Sequence, residues 1–374
     1  MNVPVGLFGT WWAYTRLQET AVRPVTRPRI DWAGNLTFAV GLSAFLIGIT
    51  QALQPHGGHS MGWTAPSVLI EMIGGAALLV AFVVIESRVP QPMFHLSLFR
   101  IRAFAAGNIA SLLASIARGG MQFVLIIWLQ GIWLPLHGYA YSQTPLWAGI
   151  FLLPLSIGFL IAGPISGILS DRFGSRGLAT SGMLLFAATF VGLLLLPIDF
   201  PYWAFAVLIL LNGVSNGMFT SPNTSAIMGS VPAEYRGVAS GMRSTFMNSG
   251  TALSIGVFFS LMIVGLSSSL PHALTSGLIA NGVSPGQAAS IGAQPPVASL
   301  FAAILGVDPI AHLVGHPVGG PEFFPHLIAA PFHTGLVVVF AAGAVLAVLA
   351  AIASALRGSG STVVPHAPEP ERSA

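Results

Sequence analysis

Eight runs of mostly apolar residues, near 33–53, 65–85, 104–131, 146–169, 177–197, 203–229, 237–266 and 334–356, set the limits of what this chain can fold into. A helix needs about 20 such residues to cross the hydrocarbon of a bilayer. Inside that hydrocarbon the backbone has no water to bond, so each run must satisfy its own N–H and C=O groups as a helix. The rest of the composition agrees: 54% of the 374 residues are hydrophobic and only 7% are charged, against about 25% charged in a soluble domain. Soluble enzymes, nucleic-acid readers and disordered scaffolds are thereby disfavoured. There is no cysteine, which excludes a disulfide framework, a thiolate metal site and a cysteine nucleophile.

The connecting loops orient the spans. All 14 basic residues are arginines. Arg16, Arg23, Arg27 and Arg29 precede the first full span, and the next loop, around Gln54 to Thr64, is uncharged. Arg88, Arg100 and Arg102 follow the second span, and the loop from Pro135 to Pro145 again has no arginine. Arg172 and Arg176 come next, then only Asp199, then Arg236, and the long loop after Ser267 has Asp308 and Glu322. Basic and non-basic loops alternate throughout, as the positive-inside rule requires. Residues 16–31 and the C-terminal tail are therefore expected on the cytoplasmic side. The apolar piece 297–314 is broken by Asp308-Pro309 and reads as interfacial or re-entrant. The eight tryptophans (Trp11, Trp12, Trp32, Trp63, Trp128, Trp133, Trp147 and Trp203) lie mostly near span ends, where an interfacial belt is the expected role.

All but three of the charges fall in loops or at span ends; the exceptions are Glu71, Arg118 and Arg243. A charge at membrane depth costs at least a few kcal/mol, so each marks a functional hypothesis. Arg118 sits mid-span, and at helical spacing it shares a stripe with Asn108, Ser111, Ser115, Gln122 and Gln130. That stripe either lines a polar cavity or places an arginine against backbone carbonyls or an acid within the bundle. In the span 203–229, Asn212, Asn216, Thr220 and Asn223 share one face, either as glue between helices or as solute contacts. Pro222 stands where it would kink that helix. Ser240, Arg243, Ser244, Asn248 and Thr251 form a broader polar face; Arg243 either reaches the cavity or snorkels to the cytoplasm. Glu71 either takes up protons or faces the outer headgroups. His312 and His316 are four apart, but in a Gly/Pro-rich loop without an acid, so they read as ordinary loop positions. No phosphate loop, nucleophile elbow or carboxylate pair points to an enzyme, and no metal or cofactor is expected.

One turn is distinctive. Gly167-Ile168-Leu169-Ser170-Asp171-Arg172-Phe173-Gly174-Ser175-Arg176 resembles the gate loop of the major facilitator superfamily. Longer stretches, Ser221-Pro222-Asn223 and Val231-Pro232-Ala233-Glu234-Tyr235-Arg236-Gly237-Val238-Ala239-Ser240-Gly241, look like the fourteen-spanner drug:proton antiporters of the EmrB/QacA type. Earlier in the chain, Pro28 to Gly34, Glu86-Ser87-Arg88, Leu98-Phe99-Arg100 and Leu129-Gln130-Gly131 resemble the same family, and their order along the chain is that of the family.

The resemblance implies an all-α polytopic membrane protein with a major facilitator fold. The chain would hold two central helices (33–86) and a C-terminal six-helix half (104–356), with the N-terminal half missing. Residues 1–14 would be the remnant of an earlier span, 15–32 and 87–103 cytoplasmic loops, 267–332 an outer loop and 357–374 a disordered cytoplasmic tail. The implied activity is efflux of drugs or amphipathic compounds by alternating access in the cell membrane, with protons as coupling ion. Import, or a half-module needing a partner N-terminal half, are the alternatives. Gating would fall to Gly167, Asp171, Arg172, Gly174 and Arg176. The cavity would draw on Asn108, Arg118, Gln122, Asn212, Asn216, Asn223, Arg243 and Asn248, with Glu71 for coupling. The partners expected are the lipid bilayer, a small-molecule substrate and no nucleic acid.

Overall fold

The structure, a computed structural model, describes residues 2–16, 31–52, 61–90, 92–267, 269–294 and 323–358. The piece 297–314, His312, His316 and the tail from residue 359 lie outside the described residues, as do 17–30 of the first loop. The described chain is helical, with no strand. A lone helix α1 (Asn2–Arg16) is followed by a hairpin of α2 (Trp32–Ala52) and α3 (Pro66–Glu86). Next come α4 (Arg102–Trp128), the short α5 (Leu134–Leu136), α6 (Thr144–Phe151), α7 (Leu153–Phe173), α8 (Ser175–Leu194) and α9 (Tyr202–Gly229). The long α10 (Arg236–Ser267) leads into α11 (Leu270–Ala280) and α12 (Pro285–Gly292), and α13 (Phe323–Ala355) closes the fold. Among the described residues, eight helical segments are long and apolar enough to cross a membrane.

The core is one bundle. Helix α9 packs between α7 and α8, α13 packs against α8, α4 and α10, and α10 packs along α4. The α2–α3 hairpin packs mainly on itself and only lightly on α10. In lipid, helices gain little from burying leucine against leucine, so close approach through small residues decides which pairs form. The α7–α9 crossing shows this. A Cβ on Gly217 would stand 2.8 Å from the Ala162 Cβ, and one on Gly213 would run into the Leu155 carbonyl oxygen.

Three details differ from the sequence-based expectation. The last span begins at Phe323 instead of 334, and Pro331 lies inside α13. Proline removes one backbone donor without ending a helix whose neighbours bury the turn, and both Pro331 and Phe332 are buried. The span 146–169 is two helices, α6 and α7, joined at Leu152, with Pro145 and Pro154 each opening one of them. Trp128 and Trp133 are not interfacial anchors. They are 0% and 5% exposed, and their indole N–H groups donate to the carbonyls of Ile198 (3.3 Å) and Phe200 (2.9 Å). Trp133 stacks on Phe200 with ring centres 5.2 Å apart. This aromatic knot ties the end of α4, wound as a wider π-helical turn over Leu129–Trp133, to the loop before α9. Trp11, Trp12, Trp32 and Trp203 are exposed, as an anchor would be.

Candidate functional site

Three helices converge on a narrow cleft with about 10 Å³ of free volume, room for about one water. From α4 come Ser111, Ala114, Ser115 and Arg118, from α9 Asn216, Phe219 and Thr220, and from α10 Arg243 and Met247. Their spacing along each helix, three or four residues apart, keeps them on one face. Arg118 and Arg243 are partly buried here, and neither has a hydrogen bond or ion pair with a described residue; the Arg243 Nε is closed off from solvent without an acceptor. The described carboxylates lie elsewhere: none of Asp31, Glu71, Glu86, Asp171, Asp199 and Glu234 lines this cleft. The one ion pair among the described residues is between His137 and Asp199, 3.6 Å apart.

One helical turn along α4, Gln122 lines a second and roomier cleft of about 260 Å³ with Gln130, and α6 and α7 supply Pro145, Ala148, Gly149, Leu155 and Ser156. The stripe on α4 is thus divided between two concavities. Sequence reasoning missed the contribution of α6 and α7, although the paired prolines at 145 and 154 signal a broken helix that turns backbone and small side chains toward a cavity.

The asparagines of α9 do not act as a set. Asn212 is fully buried, and its amide donates to Thr189 Oγ1 (2.8 Å) on α8 and lies 3.2 Å from the Met121 sulfur on α4. Asn223 donates to the Gly107 carbonyl (3.1 Å) and Ser111 Oγ (2.7 Å), and its oxygen accepts from Arg357 Nη2. Both are joints between helices, leaving Asn216, 5% exposed, as the one of the three that lines the first cleft. Arg357, just past the end of α13, is pushed down to about 10 by burial and so stays cationic at neutral pH. Asn223→Ala strands this cation and removes the bonds that join α9 to α4. It is expected to cost about 1–3 kcal/mol, read as a lower melting temperature of the purified protein; an unchanged melting temperature would remove Asn223 as the joint.

The remaining positions are dispersed. Asn108 is fully buried, donates to the Phe104 carbonyl (2.9 Å) of its own helix, and lines neither cleft. Asn248 is exposed on α10, alongside exposed Ser240, Ser244 and Thr251. Glu71 accepts from Gln51 Nε2 (3.0 Å), joining α3 to α2 away from both clefts. The gate motif is less a loop than a helix end. Gly167, Asp171 and Arg172 belong to the last turns of α7, and Gly174 alone separates α7 from α8. Its φ of 85° and ψ of 146° suit only glycine. Asp171, Arg172 and Arg176 are exposed, and no described residue pairs with Asp171.

Comparison with known proteins gives a family. Residues 29–255, more than half of the chain, match the family model described as Major Facilitator Superfamily. The uncharacterized MFS-type transporter YhcA of Bacillus subtilis is 33% identical over 217 residues, 58% of this chain and 38% of that protein. The methyl viologen resistance protein SmvA of Salmonella typhimurium is 30% identical over 243 residues, 65% of this chain and 47% of the relative. The tetracenomycin C resistance and export protein of Streptomyces glaucescens is 27% identical over 306 residues, 80% of this chain and 54% of the relative. The chain spans about half the length of the curated relatives it matches.

Proposed function

This chain belongs to the major facilitator superfamily, and on that premise we propose that it takes part in proton-coupled efflux of small amphipathic molecules by alternating access. It is a multi-pass membrane protein of a transporter family. The observation that carries the proposal is the first cleft, where α4, α9 and α10 bring Arg118, Asn216 and Arg243 together. Holding an arginine at mid-membrane costs about 2.5–3.5 kcal/mol or more. Structural glue would place such a residue against a partner, whereas neither guanidinium has a hydrogen bond or ion pair with a described residue. The resistance and export names of the relatives support efflux as the direction. Helix ends at Gly174, with exposed Arg172 and Arg176, would latch the cytoplasmic side.

The test is a cell assay. Cells making the protein are expected to lose a preloaded amphipathic fluorophore faster than cells making none, and a protonophore should remove the difference. Equal rates of loss would overturn the reading.

A second reading rests on the exposed Ser240, Ser244, Asn248 and Thr251 of α10, a polar face poorly suited to lipid. In it, this chain corresponds to the later spans of a fourteen-spanner drug:proton antiporter, and that face packs against further membrane helices. Detection of the endogenous protein through its C-terminal tail should then show either a species well above 38.9 kDa or a second membrane polypeptide that co-purifies. A lone 38.9 kDa species without a companion would sink this reading.

A further inference from the structure

The second cleft differs from the first in size and in charge. It has about 260 Å³ of free volume where the first has about 10 Å³, close to the lower end of the ~300–1,000 Å³ typical of small-molecule sites. None of the residues that line it is charged. Its polar groups are the carboxamides of Gln122 and Gln130 and the hydroxyl of Ser156, and none of the three has a hydrogen bond with a described residue. Gln130 is 7% exposed, and its Oε1 is closed off from solvent with no donor. A buried acceptor left without a donor costs free energy, which an occupant bringing an N–H or O–H recovers. The amide is also held in place. Gln130 lies in the π-helical turn Leu129–Trp133, pinned on both sides by the Trp128 and Trp133 indoles that donate to the carbonyls of Ile198 and Phe200. Such turns recur at functional sites, and a group fixed by its surroundings loses little freedom on binding. An ionic group entering from water would lose hydration here and find no counter-charge.

We propose that the second cleft seats an uncharged organic molecule of one or two rings, which donates an N–H or O–H to Gln130 and lays its apolar body between Ile126 of α4 and Ala148 and Leu155 of α6 and α7. The inference rests on the transport reading and names its substrate class. It seats the solute beside the helical turn of α4 that follows Arg118, with exposed Gln122 and Ser156 at the mouth.

The test uses four bicyclic probes. Carbostyril is an uncharged lactam with an N–H, N-methylcarbostyril lacks that donor, N-methylquinolinium is a cation and quinoline-2-carboxylate an anion. Binding to the full chain in phosphatidylcholine nanodiscs is followed by probe fluorescence, with empty nanodiscs subtracted. Carbostyril is expected to bind about tenfold tighter than N-methylcarbostyril, and both charged probes more weakly still. Gln130→Leu should abolish the difference between the two uncharged probes while retaining N-methylcarbostyril binding, which also shows that the variant is folded. Gly149→Trp should fill the cleft and remove binding of all four, since Gly149 lines it and a Cβ there meets nothing within 4 Å. Gly163→Trp on α7, with the same open space and outside both clefts, is the control and should bind as the unaltered chain does. Should Gln130→Leu fail to fold, the probe series on the unaltered chain and the two glycine variants decide. No binding of any probe, equal affinity for the two uncharged probes, tightest binding of a charged probe, a lactam preference that survives Gln130→Leu, or full binding by Gly149→Trp overturns the inference. Each of these leaves efflux in the cell assay standing, whereas carbostyril binding by a chain that exports nothing overturns transport and keeps the site.

Discussion

Arg118→Ala is expected to abolish export while leaving the protein in the membrane at its normal level. The two halves of that expectation come from the same observation. Arg118 lies mid-helix on α4, lines the first cleft and has no hydrogen bond or ion pair with a described residue. Removing a residue that anchors neighbours would destabilise the bundle, but removing an unpartnered cation relieves a cost of about 2.5–3.5 kcal/mol. The melting temperature of the purified variant should therefore hold or rise, even as efflux falls to the level of cells without the protein. A structural arginine would show the reverse, with lost expression and proportionate activity in what remains. Unchanged export at unchanged expression would take Arg118 out of the mechanism.

Gly213→Leu should have an equally large effect of the opposite kind, with little folded protein recovered at all. At the crossing of α7 and α9 the backbones approach so closely that a Cβ on Gly213 would collide with the Leu155 carbonyl oxygen. The obstacle is backbone, which cannot rotate away as a side-chain tip can. The expected penalty exceeds the ~3 kcal/mol at the top of ordinary overpacking and is a large share of the 5–15 kcal/mol that holds a typical fold together. Gly229→Leu on the same helix is the control, since a Cβ there meets nothing within 4 Å. The yield of monodisperse protein after purification is the readout. If Gly213→Leu is recovered like Gly229→Leu, the close crossing is wrong.

Both arguments begin in residues whose importance is visible in the sequence to different degrees. Arg118 stands out because charges are rare within apolar runs, and helical periodicity links it to Ser111 and Ser115 without any coordinates. Gly213 is one of 43 glycines, and nothing local separates it from Gly229. Likewise Asn212, Asn216 and Asn223 share a helix face, yet each meets a different neighbour: Thr189 on α8, the cleft, and Ser111 with Arg357. A helical wheel sorts side chains by direction but cannot say how far along that direction the next helix lies. The tryptophans teach the same lesson from the other side, since Trp128 and Trp203 both sit near span ends and only Trp203 is exposed.

By itself, the sequence determined that this chain is a stack of membrane-crossing helices. The reason is that solvation by lipid acts on each run separately: length, apolarity and the sign of the flanking loops are all local quantities. The family relationship is local in the same sense, carried by short motifs such as Gly167 to Arg176. Which helices touch, and therefore which polar residues become joints and which face a cavity, was decided only by the tertiary structure. Pairing depends on surfaces contributed by residues far apart in the chain. Arg118 and Arg243 share a cleft because Ser111 and Gly107 of α4 bond Asn223 of α9, while α10 packs along α4. No window of sequence contains those three helices together.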